Sequence, residues 1–165
     1  MSETIIRDEA PGDAAAVGNV LRAAFQGDIE AKLVDELRGG RDIVLSLVAA
    51  DRNGNVVGYV AFPRLSVADI PCIGLAPLAV APEHQRRGIG HALIEQGLSA
   101  LKQRGEKLVF VLGEPAYYTR FGFDPAAAAP FTSEYAGPYF MARRLAGDAP
   151  ASGNVQYPPA FAKMG

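Results

Sequence analysis

Apolar positions along this chain switch between helical and strand spacing, and glycine or proline marks most of the switches. Thr4 to Arg7 predicts a short edge strand, closed by Pro11-Gly12. Val17, Val20, Leu21 and Ala24 then recur at helical spacing, which predicts a helix through about Phe25 with Asp13 as its cap. Ile29, Leu33, Val34 and Leu37 predict a second helix from about Asp28 to Arg38, ended by Gly39-Gly40. Ile43 to Asp51 and Asn55 to Pro63 are β-branched and apolar on either side of Asn53-Gly54, a two-residue turn signal, so they form an antiparallel hairpin. Next come a strand from about Ile73 to Val80, a helix from Gly88 to Arg104, and a buried strand from Leu108 to Leu112 after the Gly105 stop. The helix carries Ile89, Ala92, Leu93, Gly97, Ala100 and Leu101 on one stripe, with Gly97 allowing close approach to a strand. Downstream the pattern predicts a short helix around Pro115 to Phe121, a strand from about Phe123, an Ala/Pro stretch at Ala126 to Pro130, and a last strand near Tyr139 to Leu145. Strand, turn, helix and strand in the second half make a βαβ-like unit attached to an antiparallel first half, hence a mixed α/β fold.

A chain of 165 residues suits one domain, read as residues 1–145 with 146–165 as an irregular arm of the same domain. With 49% apolar and 21% charged residues it buries a core without staples. Sixteen Lys and Arg against 18 Asp and Glu give a net charge of −2, so no basic field exists for nucleic acid. The lone Cys72 forms no intrachain disulfide, and with only His84 and His91 beside it no structural metal is expected. Acids occupy the first ten residues where an export signal needs a basic stretch. The apolar run Cys72 to Pro82 is about half of what a membrane-spanning helix requires. A cytoplasmic protein with no membrane partner is the expectation.

Candidate chemistry concentrates in Gln85-Arg86-Arg87-Gly88-Ile89-Gly90, where a strand runs through a glycine-containing turn into the helix. Gly88 and Gly90 lack side chains, so successive N–H groups can face one anion, and the helix adds its positive dipole end. The turn lacks the third glycine of the dinucleotide fingerprint and the Gly-Lys-Ser/Thr ending of a nucleoside-triphosphate loop.

These six residues resemble the acyl-CoA signature Gln/Arg-x-x-Gly-x-Gly/Ala of the GNAT N-acetyltransferase superfamily, preceded by the strand Leu78-Ala79-Val80. Tyr118-Thr-Arg-Phe-Gly122-Phe123 looks like the superfamily's Tyr-x-x-x-Gly-Phe segment, and the element order from about Thr4 to Leu145 fits as well. The string Val111 to Phe123 and the tail Tyr157-Pro-Pro-Ala-Phe161 look like a bacterial subgroup whose acceptors are mostly undefined. The resemblance implies a GNAT fold: a mixed, mostly antiparallel sheet with central splayed parallel strands, here Ile73 to Val80 and Leu108 to Leu112, flanked by helices. It implies that Leu78, Ala79 and Val80 pair with the pantetheine arm of acetyl-CoA, the cosubstrate. Gln85, Arg86, Arg87, Gly88, Ile89, Gly90 and His91 would hold the pyrophosphate, mostly through their amides. Transfer would go directly to a small-molecule or peptide amine in a ternary complex, with Tyr118 as general acid toward the leaving thiolate. Candidates for the base are Glu114, Glu30, Glu83 and His84, or a water chain; Glu114, after the strand beside the cleft, is favoured. Tyr117 reads as packing and Cys72 as a small buried hydrophobe. The rival readings are a non-catalytic acyl-CoA-binding sensor and a nucleotide-binding regulator. Gly39 to Arg41, Arg64 to Ile70 and Ala126 to Tyr139 read as the loops that set acceptor specificity; the assembly is a monomer or homodimer.

Overall fold

A computed structural model describes residues 4–163. The edge strand β1 (Ile5–Asp8) leads through a 3₁₀ turn into helices α1 (Ala14–Phe25) and α2 (Ile29–Gly39). Strands β2 (Ile43–Ala50), β3 (Val56–Val67), β4 (Ile70–Leu75) and β5 (Leu78–Val80) follow, then α3 (Ile89–Gln103) and β6 (Leu108–Leu112). After β6 the described residues form the short helices α4 (Pro115–Tyr118) and α5 (Pro125–Ala128), strands β7 (Phe131–Thr132), β8 (Phe140–Arg144) and β9 (Gly153–Gln156), and a 3₁₀ turn, Pro159–Lys163.

The sheet runs β1-β2-β3-β4-β6-β8, antiparallel except for the β4–β6 pair; off this path β5 and β9 each pair with β3, and β7 lies parallel to β9. Both faces are covered, so β3 reads as an almost unbroken apolar run. Tyr59 and Ala61 face α1 and α2, while Val60 and Phe62 face α3. Ile94 and Leu98 widen the expected stripe of α3, and both are buried. At Gly97 any Cβ would run into the Phe62 ring, so this glycine sets how closely α3 lies on the sheet.

Four expectations are corrected. The strand expected over Ile73 to Val80 is two strands, β4 and β5, because Ala76 and Pro77 both bond to Ala61 and shift the register against β3 by one residue. Arg64 to Ile70 is not a loop: β3 continues to Val67 and turns back through Ala68 and Asp69, at φ 49° and 66°. That primed turn has no Asn-Gly or Asp-Gly to announce it. Phe123 does not open a strand; Asp124 accepts the Ala126 N–H and, with Pro125 behind it, starts α5. The tail is not wholly irregular either. β3 outruns β2, which ends opposite Pro63, and β9 takes the exposed edge at Ser66 and Val67.

Candidate active site at the splayed strands

β4 and β6 run side by side from Ile73–Val109 to Leu75–Val111 and then part. The bulge at Ala76-Pro77 bends the chain away, and β5 pairs with β3 alone. Pleating sets which groups face the opening. Pro77 O and Ala81 N bond to β3, so the peptide groups of Ala79 point the same way and those of Leu78 and Val80 point into the gap. Of the three residues expected there, Leu78 and Val80 present N–H groups to the gap and Ala79 does not. The closed end of the V is tied by Arg64, which donates to both carboxylate oxygens of Glu106 (2.9 and 2.8 Å) and to Cys72 O at 3.2 Å.

Beyond β5 the chain curls over Pro82–His84 into α3. Gln85 Nε2 donates to Val80 O at 3.0 Å, fastening the turn to the strand. Arg86 at φ 65° and Gly88 at φ 82° take left-handed backbone, a conformation that costs a residue other than glycine about 1–2 kcal/mol. Alternation of this kind aims consecutive amides at one point. The first bond of the helix runs from Ala92 N to Gly88 O, so the N–H groups of Ile89, Gly90 and His91 have no partner within it. Their partial charges sum to about half a positive charge at the helix end. A Cβ on Gly88 would meet nothing within 4 Å, so the approach is open. Gly90 is different: its missing side chain makes room for the Tyr117 hydroxyl, 2.9 Å from where a Cβ would sit. Arg86 and Arg87 are exposed, and the His91 ring packs at a tilt of 50° against Phe121, with centroids 4.9 Å apart.

Tyr118 stands at the mouth of the V. Its ring lies over Gly113, where a Cβ would meet Cδ2 at 2.9 Å, and against Phe123 at 6.1 Å. Burial, and then the neighbouring Tyr117, push its phenol up to about 12, so it holds its proton throughout the neutral range. A cavity of about 390 Å³ opens from the gap, walled by Gly74 to Leu78, Phe110 to Leu112 and Tyr118 on the strand side. Phe25, Glu30, Leu33, Tyr135, Tyr157 and Phe161 form much of the opposite wall.

The candidate bases separate by position. Glu114 is exposed at the start of α4, its carbonyl accepting from Tyr117 and Tyr118 N–H, and it is not among the cavity walls; nor are Glu83 and His84. Glu30 is among them, half-buried in the first turn of α2. Of the three expected specificity loops, Ala126 to Tyr139 reaches the cavity through Tyr135, whereas Gly39 to Arg41 does not. Reading the sequence missed Phe25 and Leu33, which looked like ordinary helical apolar positions. Cys72 is buried in the core, its thiol pushed up to about 11 by burial.

Residues 44–125 match the model of the acetyltransferase (GNAT) domain. The Escherichia coli protein described as uncharacterized N-acetyltransferase YhbS is 41% identical over 159 residues, spanning 93% of this chain and 95% of its own length. The crystal structure of YhbS in complex with CoA superposes with a TM-score of 0.93 at 38% identity, covering 100% of this chain and 95% of that one. A Brucella melitensis GNAT acetyltransferase in complex with acetyl-CoA gives 0.83 at 35% identity, covering 96% of this chain and 98% of that one.

Proposed function

The chain belongs to the GNAT acetyltransferase family, and from this premise we propose that it moves the acetyl group of acetyl-CoA onto an amine by direct attack in a ternary complex. The observation that carries the reading is the pairing of two features: a strand edge with free N–H groups at Leu78 and Val80, and a helix end with free amides at Ile89 to His91. The two lie at opposite ends of one short stretch of chain, as a donor with an amide-bearing arm and a diphosphate requires. The open approach to Gly88 fits the diphosphate, and Arg86 and Arg87 add charge at its edge. Acetyl-CoA supplies an activated thioester and a thiolate leaving group.

The remaining work falls to side chains and backbone. Leu78 N–H points where charge builds on the carbonyl oxygen as the amine adds. Tyr118 keeps its proton and donates a hydrogen bond to the departing sulfur. A phenol near 12 is a weaker acid than a thiol, whose ordinary value is about 8.5, so stabilisation by that bond precedes full proton transfer. Glu30 faces the acceptor and takes the role of holding its nitrogen and passing a proton to water. The balance is one C–N bond made and one C–S bond broken. A protonated acceptor gives up one proton before attack, and its nitrogen loses another afterwards. One of the two ends on sulfur and the other in solvent. The domain spans residues 1–145, and 146–165 belong to the same unit.

Thiol release from acetyl-CoA across a panel of amines tests the reading. Turnover with at least one amine, lost together with CoA binding in Gly88→Arg, is expected. Tight CoA binding with no turnover of any amine would identify an acyl-CoA sensor instead.

A further inference from the structure

The acceptor half of the cavity has an unbalanced composition. Among the described residues its wall holds one formally charged side chain, Glu30, and no Lys, Arg or His. The same wall carries a chain of rings: Tyr135 meets Tyr157 edge-on at 4.9 Å, and Tyr157 meets Phe161 at 5.2 Å. The nearest guanidinium in sequence to these walls, on Arg64, lines a neighbouring groove and is held by Glu106. None of Phe25, Glu30, Leu33, Tyr135, Tyr157 or Phe161 lies within residues 44–125, so this wall belongs to the parts of the chain outside the matched family domain.

We propose that the acceptor is a small cationic amine on an apolar scaffold with no carboxylate or phosphate beside the nitrogen, selected by Glu30 together with the ring wall Tyr135, Tyr157 and Phe161. The proposal rests on the transfer reading above and adds the substrate class to it. A cationic nitrogen entering this space gains the Glu30 carboxylate and the negative faces of the rings. A carboxylate or phosphate would lose water, find no counter-charge on the wall, and face Glu30. The volume of about 390 Å³ includes the reacting end of the donor, near the lower bound of ligand pockets, which run from about 300 to 1,000 Å³. A small scaffold suits that space.

The test uses pairs of amines that differ only by the carboxylate: 2-phenylethylamine against phenylalanine, and tyramine against tyrosine. The full-length protein should use the decarboxylated member with kcat/KM at least about 100-fold higher. In calorimetry on the protein saturated with CoA, that member alone should bind. Glu30→Gln should shrink the preference to below about tenfold, and Glu30→Lys should bring the amino acid level with or ahead of its partner. Equal use of both members by the unaltered protein overturns the proposal, as does a preference that Glu30→Gln leaves intact. Acetyl-CoA binding is measured first. Its absence removes the transfer reading and this proposal with it, whereas binding without turnover or capture of any pair member removes this proposal alone.

Discussion

The two sides of the cleft are built from different materials. On the reading proposed above, the donor side is backbone: the edge of β5 and the amides that open α3, drawn from one run of fourteen or so residues between Leu78 and His91. The proposed acceptor side is side chains, gathered from the C-terminal end of α1, the first turns of α2, the loop before β8 and the segment from Tyr157 to Phe161. Backbone recognition asks little of residue identity beyond glycine where the chain must curl, so such a grip tolerates wide change in sequence. Side-chain recognition changes with each substitution. The contrast teaches that what this protein is and what it acts on are written in separate places.

The largest expected break falls on the donor side. Gly88→Arg fills the open approach and should weaken CoA binding by more than about 100-fold in calorimetry. The left-handed backbone at φ 82° adds strain of about 1–2 kcal/mol, so the variant melts a few degrees lower yet folds. Unchanged affinity would remove the helix end from the donor site.

At the junction of the two sides, Tyr118→Phe should lower kcat by about 10- to 100-fold while leaving acetyl-CoA affinity within about twofold. Gly113→Ala, which pushes the Tyr118 ring from its seat, should reproduce part of that loss. A full-rate Tyr118→Phe enzyme would reduce the residue to packing.

On the acceptor side the expected effects are smaller. Tyr157→Ala should raise the acceptor KM by about tenfold, because it removes the middle ring of the wall, and it should not change the dissociation constant of CoA. If CoA binding fell in step, the two sides would not be separable.

The mildest signature is alkaline. Burial raises the Tyr118 phenol to about 12 and moves Tyr59 and Tyr157 higher still, whereas the unfolded chain titrates near 10. Above about pH 10 the unfolded state loses protons that the folded state keeps, so stability is level below that point and falls as pH rises beyond it. A urea midpoint that held steady from pH 9 to 11.5 would contradict the burial.

The strand, turn and helix of the candidate donor side were legible because they follow one another in sequence, and local physics ties Gln85 to Gly90 directly to its conformation. Even there, the purpose of Gly90 was hidden, since the atom that fills its space belongs to Tyr117, far along the chain. The bulge at Ala76-Pro77 was invisible because register is a property of two strands, and β3 supplies the other half. The acceptor side was mostly illegible for the same reason: Phe25 and Leu33 become walls only after Tyr157 and Phe161 fold back beside them. The β3 to β4 turn was missed because Ala68-Asp69 adopts a conformation that its residue types do not advertise.

Strand β9 is attached to β3 through only two residue pairs, yet it delivers Tyr157 to the cavity and leads to Phe161. The proposed acceptor wall is thereby partly portable. On the proposed reading, exchanging the segment from Ala146 onward between two such proteins would hand over the Tyr157 and Phe161 part of the acceptor wall, while Glu30 and Tyr135 stay with the recipient and its hold on the donor is undisturbed.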